Sequence, residues 1–254
     1  MRDGIACDIV VPAEAGTAQE VSTLIAAAPS FAWATVDVVV QIAAHHHRKL
    51  LVADMDSTMI TVECIDELAD YAGLKAEVSA VTERAMRGEI DFAGALRDRV
   101  ALLAGMKEST ITECLNERVK LMGGAKELVT TFRASGGKAI LVSGGFTHFT
   151  GPVAAEIGFD RAIANRLVVK DDVLTGEVEQ PIVDAQTKKA VLLEALAGRD
   201  PSVSIAIGDG ANDIPMIEAA GLGIAYHAKP KTQAAADACV RFGDLNVVRY
   251  ALGL

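Results

Sequence analysis

Three short stretches of the sequence place polar and glycine residues directly after apolar runs. They are "DMDST" (54–58), "VSGGF" (142–146) and "GDGANDIPM" (208–216). Side chains two residues apart on an extended segment share a face, so Asp54 and Asp56 can address one volume. Two carboxylates in one volume repel each other unless a cation lies between them. Metal chemistry is therefore the first interpretation of "DMDST".

The other two stretches supply partners for these carboxylates. If all three follow strands of one parallel sheet, their polar residues lie along the same edge. Asp54, Asp56 and Asp209 would then converge with the Ser143 hydroxyl and glycine-rich backbone. Hard oxygen ligands with room for water favour Mg²⁺, and the pattern predicts a magnesium site.

The surrounding elements can form such a sheet. Short apolar blocks bounded by glycine or polar residues, typical of buried parallel strands, are 50–54, 138–145, 203–210 and 221–226. Between them, apolar spacing near 3.6 predicts helices at 125–137, 187–198 and 213–221. Alternating strands and helices predict an α/β fold with a doubly wound parallel sheet.

One interval is too long for a simple strand–helix–strand crossover of about 30 residues. The excess, residues 63–122, consists of segments with one apolar and one charged face. It predicts a helical insertion after the first core strand, above the crevice where α/β folds bind ligands. Residues 48–62 and 123–254 would form the core.

Two further segments depart from the alternating pattern. Residues 164–179 contain two β-rich runs around "KDD" and predict a hairpin. Residues 1–47 predict a small α/β extension, with strands at "IACDIVVP" and "ATVDVVVQIA" around the helix "TAQEVSTLIAAA". This extension is too small to bury a core alone, so we expect it to pack on the main body.

Other sites of similar composition do not fit the spacing. An EF-hand loop starting at Asp54 needs Gly and Glu where the chain has Met59 and Ile65. Asp213 stands at the third glycine position of a dinucleotide fingerprint, and no P-loop sequence occurs. A Ser143–His148 hydrolase remains an alternative, although the nucleophile-elbow glycine before Ser143 is missing.

Composition limits the partners. The chain has 254 residues, 51% of them apolar, and a formal net charge of −10, which disfavours nucleic acid. The four cysteines are scattered without a C-x-x-C pair, so a disulfide framework is not expected. No signal peptide or membrane-spanning run is recognised, which predicts a cytoplasmic protein without a membrane partner. A homodimer is compatible with the sequence.

Taken in order, "DMDST", "VSGGF", Lys188 and "GDGANDIPM" resemble the haloacid dehalogenase superfamily of aspartate-nucleophile phosphohydrolases. From about residue 48 to 250 the chain resembles the phosphoserine phosphatase family within it. "TVECIDELA", "AMRGEIDFAGALRDRVALL" and "ANRLVVKDDVLTGEV" are similar to that family's cap and hairpin segments. Residues 63–122 are accordingly called the cap.

The resemblance implies specific roles in the core. Asp54 would be the nucleophile, Asp56 the general acid and base, and Lys188 a catalytic and phosphate-binding residue. Ser143, Gly144 and Asn212 would also bind substrate. Mg²⁺ would be held by Asp54, the Asp56 backbone carbonyl and Asp209, with Asp213 supporting these ligands and Lys188 from behind.

The resemblance also implies a substrate. Glu63 would meet the ammonium group of phosphoserine and Arg99 its carboxylate, with Met86 and Phe92 on the apolar side. The implied activity is Mg²⁺-dependent hydrolysis of O-phospho-L-serine through an aspartyl-phosphate, the last step of serine biosynthesis. Two alternatives are a phosphotransferase to an alcohol such as homoserine and a non-catalytic amino-acid sensor.

Overall fold

A six-stranded parallel sheet forms the centre of the molecule. Its strands in spatial order are β3 (Arg161–Asn165), β2 (Lys138–Phe146), β1 (Leu50–Ala53), β6 (Ser204–Gly208), β7 (Gly223–Tyr226) and β8 (Ala238–Val240). The order reverses between β1 and β6, where the chain changes from winding in one direction to the other. In such sheets the crevice outside the carboxyl ends at this point binds ligands. The predicted doubly wound α/β fold is confirmed.

This computed structural model describes residues 6–12, 16–28, 35–45, 47–86 and 89–254. No helix in these ranges is long and apolar enough to cross a membrane.

Both faces of the sheet are covered by helices. Leu51 and Ala53 of β1 join the apolar cluster of α6 (Ala125–Ala134), α7 (Thr147–Ile157) and α11 (Asn246–Ala251). Leu50 and Val52 join the opposite cluster with α8 (Ala185–Leu196) and α9 (Ile214–Ala219). Burial on both faces explains why β1 is a continuous apolar run rather than an alternating one. Helix α10 (Pro230–Ala235) precedes β8.

The two edge strands, β3 and β8, were not among the predicted strands. β3 has an exposed first half and β8 has only three residues. An edge strand needs less apolar surface than a central one, and the apolar runs in these two strands, 162–164 and 238–240, are only three residues long.

Helices occupy the interval that the sequence assigns to the insertion. They are α2 (Cys64–Tyr71), α3 (Lys75–Met86), α4 (Phe92–Ala101) and α5 (Glu108–Arg118). The Asp91 carboxylate accepts from the Gly94 amide at 2.6 Å and caps α4. The chain enters and leaves these helices side by side, because Ile60 and Leu121 form an antiparallel bridge.

The predicted hairpin is present as β4 (Leu167–Lys170) and β5 (Val173–Val178). Asp171 and Asp172 at its tip have φ angles of 52° and 60°, as required at both central positions of a type I′ turn. Leu174 exchanges backbone hydrogen bonds with Gly105 and Met106 at 2.9 and 2.8 Å. The hairpin is therefore hydrogen-bonded to the loop between α4 and α5.

The amino-terminal segment requires a correction. Its predicted helix is present as α1 (Ala18–Ala27), with a capping box between Thr17 and Glu20. The two predicted strands are wrong over the described part, because residues 6–12 and 35–42 contain no strand. A strand forms only where its backbone finds a free edge. Here the Asp37 carboxylate accepts hydrogen bonds from the backbone amides of residues 241–243, just after β8. A side chain, rather than a paired strand, therefore joins this segment to the edge of the sheet.

Candidate active site

Lys188 is buried at the centre of the site. Its side chain is 1% exposed, and Nζ lies 2.7 Å from Oδ1 of both Asp54 and Asp213. Asp184 caps the start of α8 and so sets the helix that carries Lys188. Burial alone would lower the pKa of Lys188, but the charges of Asp54 and Asp213 raise it above its usual value. The buried side chain is therefore an ammonium ion.

Three carboxylates converge beside this ammonium ion. Oxygens of Asp54, Asp209 and Asp213 lie within 4.8 Å of one another. Burial and the nearby Asp213 charge raise the pKa of Asp54 well above its usual range, and they raise that of Asp209 to about 6. One lysine cannot balance three carboxylates. A small divalent cation would favour their ionised forms, and an all-oxygen donor set fits Mg²⁺.

The Asp56 carboxylate is not part of this cluster and lies between Cys64 and Gly145. Its Oδ1 accepts from the Cys64 amide at 3.2 Å, and a Cβ atom on Gly145 would come within 2.9 Å of its Oδ2. Burial, followed by the Glu63 charge, raises the pKa of Asp56 to about 7. A carboxyl group of this pKa exists in both protonation states near neutral pH, as an acid–base catalyst must.

Ser143, Gly144 and Gly145 form a bulge in β2. Val142 pairs with Ile163 and Phe146 with Asn165, so four steps along β2 match two along β3. The bulge removes the serine and both glycines from the regular ladder. The Gly145 amide donates to Ser143 Oγ at 2.8 Å. The bulge, which contains the predicted substrate-binding residues Ser143 and Gly144, therefore lies beside Asp56.

Asn212 and Asp213 follow β6. Asp213 is fully buried, and its Oδ2 accepts from the Gly210 amide at 3.0 Å. A Cβ atom on Gly208 would overlap the Asp213 carboxylate, so this packing needs a glycine. Asn212 is partly buried beside Gly210.

The cap residues differ in how they meet the core. The Ser57 hydroxyl donates to Glu63 Oε1 at 2.6 Å. Burial lowers the pKa of Arg99, while the charges of Asp66, Glu63 and Asp56 raise it, so Arg99 lies within the field of the site. The Phe92 ring covers Gly144, where a Cβ atom would come within 3.2 Å. The Met86 side chain lies outside the described residues.

Two polar residues near the site were missed by sequence reasoning. Ser57 was quoted within "DMDST" without a role, and Asn165 was not considered. Asn165 is 2% exposed and contacts both Gly144 and Val183 through its carboxamide. An amide at the end of the apolar run "AIAN" was the available signal, but its strand had not been recognised.

Comparison with known proteins agrees with this geometry. A family model for haloacid dehalogenase-like hydrolases matches residues 51–218. The phosphoserine phosphatase of Albidiferax ferrireducens is 49% identical over 205 residues, 78% of this chain and 86% of that protein.

Two solved structures are similar over most of the chain. A phospho-aspartyl intermediate analogue of phosphoserine phosphatase has a TM-score of 0.73 at 37% identity and covers 80% of this chain and 98% of its own. A HAD family hydrolase from Salmonella enterica serovar Typhi has a TM-score of 0.87 at 30% identity, covering 96% and 83% respectively.

The chain belongs to the haloacid dehalogenase-like hydrolases. Within that class it belongs to the phosphoserine phosphatase family, as the identity and the mutual coverage establish.

Proposed function

We propose that the protein is a Mg²⁺-dependent phosphomonoesterase that hydrolyses O-phospho-L-serine to L-serine and phosphate through an aspartyl-phosphate. The observation that carries this proposal is the buried Asp54–Lys188–Asp213 arrangement, with Asp209 beside it, at the reversal point of the sheet. A related phosphoserine phosphatase has been captured as a phospho-aspartyl analogue.

Asp54 is the proposed nucleophile. It directly follows β1, and its Oδ1 is held by the Lys188 ammonium at 2.7 Å and by the Met55 amide at 2.8 Å. A carboxylate held on one side presents a defined direction of attack. Attack on phosphorus forms an aspartyl-phosphate and divides one difficult displacement into two easier ones.

Asp56 is the proposed general acid and base. In its protonated form it donates a proton to the serine oxygen as the phosphorus–oxygen bond breaks. Once serine has left, the carboxylate accepts a proton from the water that hydrolyses the aspartyl-phosphate. Such proton transfers typically contribute about 10²- to 10⁴-fold.

Asp54, Asp209 and the Asp56 backbone carbonyl would hold Mg²⁺, with Asp213 fixed behind them by Lys188 and Gly210. When bound, the ion would neutralise negative charge as an anionic nucleophile meets an anionic phosphate. The convergence of three carboxylates, together with the raised pKa values of Asp54 and Asp209, supports this part of the proposal.

The phosphoryl oxygens would be bound by Ser143, the Gly144 amide, Lys188 and Asn212. Hydrogen-bond donors held in place before the reaction stabilise charge in the transition state without reorganisation. The bulge in β2 and the buried ammonium ion provide such donors.

The cap, residues 63–122, is proposed to bind the amino-acid part of phosphoserine and so to determine specificity. Glu63 would bind the ammonium group, and Arg99, whose fork can bond both oxygens, the carboxylate. Phe92 and Met86 would close the apolar side. Arg99 is partly buried, and the nearby negative charges favour its positive form.

The partner is accordingly a small molecule, used in amino-acid biosynthesis. The four cysteines are free thiols, in keeping with the proposed cytoplasmic location. The assignment of residues 1–47 as a separate small extension remains a prediction, as does the homodimer.

Phosphate release from a panel of phosphorylated amino acids, with and without Mg²⁺, tests the proposal. We expect phosphoserine to be preferred, EDTA to abolish release reversibly, and Asp54→Asn to abolish it permanently. The exposed Asp171→Asn at the hairpin tip is the control. Full phosphate release by Asp54→Asn would refute the mechanism. Phosphohomoserine in a ³¹P spectrum with homoserine present would indicate a phosphotransferase.

A further inference from the structure

The bulge in β2 separates a peptide group from the ladder of the sheet. The Gly144 carbonyl lies between the two points where β2 pairs with β3, at Val142 and Phe146. Gly144 is partly buried, and a carbonyl that is shielded from water and lies outside a ladder needs another donor. Here the donor is a side chain, because Asn165 Nδ2 donates to the Gly144 carbonyl at 2.8 Å.

The same carboxamide reaches a second segment. Asn165 Oδ1 accepts from the Val183 amide at 2.7 Å. Val183 immediately precedes Asp184, which caps the helix that carries Lys188. One buried side chain thus joins the Ser143–Gly145 bulge to the start of the Lys188 helix.

The connection to the bulge also bears on the Ser143 hydroxyl. The peptide unit between Gly144 and Gly145 is planar, so holding its carbonyl also directs its amide. That amide donates to Ser143 Oγ at 2.8 Å. The oxygen is then occupied as an acceptor by the backbone, and the hydroxyl hydrogen is free to be donated elsewhere.

We propose that Asn165 is a positioning residue for phosphate binding. Its carboxamide orients the Gly144–Gly145 peptide, and through it the Ser143 hydroxyl, and sets the bulge relative to Lys188. This inference rests on the proposed role of Ser143, Gly144 and Lys188 in holding the phosphoryl group. Asn165 itself touches no reacting atom.

A buried asparagine also contributes to stability, so the test must separate the two effects. Ser204 is a matched control: it is fully buried, accepts from the Gly221 amide at 3.1 Å and donates to the Pro201 carbonyl at 2.7 Å. It lies at the amino end of β6, whereas the site follows the carboxyl end. Ser204→Ala should lower stability without altering the site.

The experiment measures the binding of inorganic phosphate to the full chain in Mg²⁺ by titration calorimetry, beside thermal unfolding. We expect Asn165→Ala to weaken phosphate binding on the order of 10- to 100-fold, the effect of a small displacement of a binding group. The Mg²⁺ concentration for half-maximal binding should not change. Asn165→Asp retains an acceptor for Val183 but places an oxygen against the Gly144 carbonyl, so it should weaken binding similarly.

The inference is overturned if folded Asn165 variants bind phosphate within about twofold of the wild type. It is also overturned if Ser204→Ala loses as much affinity, or if neither Asn165 variant folds, because the residue would then be purely structural. Failure of the wild type to hydrolyse phosphoserine while it binds phosphate would count against the proposed substrate alone.

Discussion

The ammonium nitrogen of Lys188 lies 2.7 Å from Oδ1 of Asp54, with both side chains buried. The same nitrogen lies 2.7 Å from Oδ1 of Asp213. One positive charge therefore stabilises two carboxylates, one of which is the proposed nucleophile. Removing the lysine leaves negative charge on two largely buried side chains without a positive partner.

Lys188→Met should both destabilise the protein and abolish phosphate release. Breaking a buried ion pair by removing one partner typically costs about 3–5 kcal/mol of unfolding free energy. The pKa of Asp54 is already raised by burial, so this carboxylate can relieve the cost by taking up a proton, and the loss should be smaller at pH 5 than at pH 7.5. Urea unfolding at the two pH values measures it. Lys189→Met, one residue along, should change little, and an equal loss in both variants would contradict this account.

Asp56→Asn should affect substrates according to their leaving group. The release of serine needs a proton, so the first step on phosphoserine should slow by about 10²- to 10⁴-fold. p-Nitrophenolate is a good leaving group that needs no proton. Rapid mixing of the variant with p-nitrophenyl phosphate should therefore still give a burst of p-nitrophenolate in the first turnover. In the wild type, the acid form of Asp56 is lost as pH rises above its pKa of about 7. The rate of the first step on phosphoserine should fall in that range, and absence of the burst would exclude the role of Asp56 as acid.

Arg99→Ala should separate recognition of serine from phosphate chemistry. Loss of a charged hydrogen-bond partner should raise KM for phosphoserine by about 10- to 100-fold while sparing p-nitrophenyl phosphate. Steady-state kinetics on both substrates measure this difference. Arg97 is exposed on the same helix, and Arg97→Ala is the matched control. Equal losses on the two substrates would reject Arg99 as the carboxylate ligand.

Stabilisation by Mg²⁺ should increase with pH. The pKa of Asp209 is raised to about 6, so in the metal-free protein its ionisation between pH 4 and 6 opposes folding. Mg²⁺ competes with protons for this carboxylate. The increase in Tm on adding Mg²⁺ should be larger at pH 7.5 than at pH 5, and scanning calorimetry measures it. Asp209→Asn should remove most of the increase, and an unchanged increase in that variant would place the ion elsewhere.

Much of the fold could be predicted because its central strands are buried on both faces. Leu50 to Ala53 must be apolar throughout, and such a block is recognisable without a structure. The amino-terminal strands were wrong for the opposite reason. "ATVDVVVQIA" has the composition of a strand, but β pairing needs a partner edge, and Asp37 contacts the chain after β8 instead.

Most of the chemistry of the candidate site could be predicted from residue types and their spacing. Asp54, Asp56, Ser143 and Asp209 can be identified from residue types, order and spacing after apolar runs, because a parallel sheet brings its strand ends to one edge. Lys188 follows no apolar run, and only the resemblance to the family identifies it. Which of these side chains are in contact depends on how the elements pack. Three such contacts join residues that are far apart in the chain. Lys188 is buried between two carboxylates, the Phe92 ring lies over Gly144, and the Asn165 carboxamide links the bulge to Val183. Packing fixes such distances, and no local spacing encodes them.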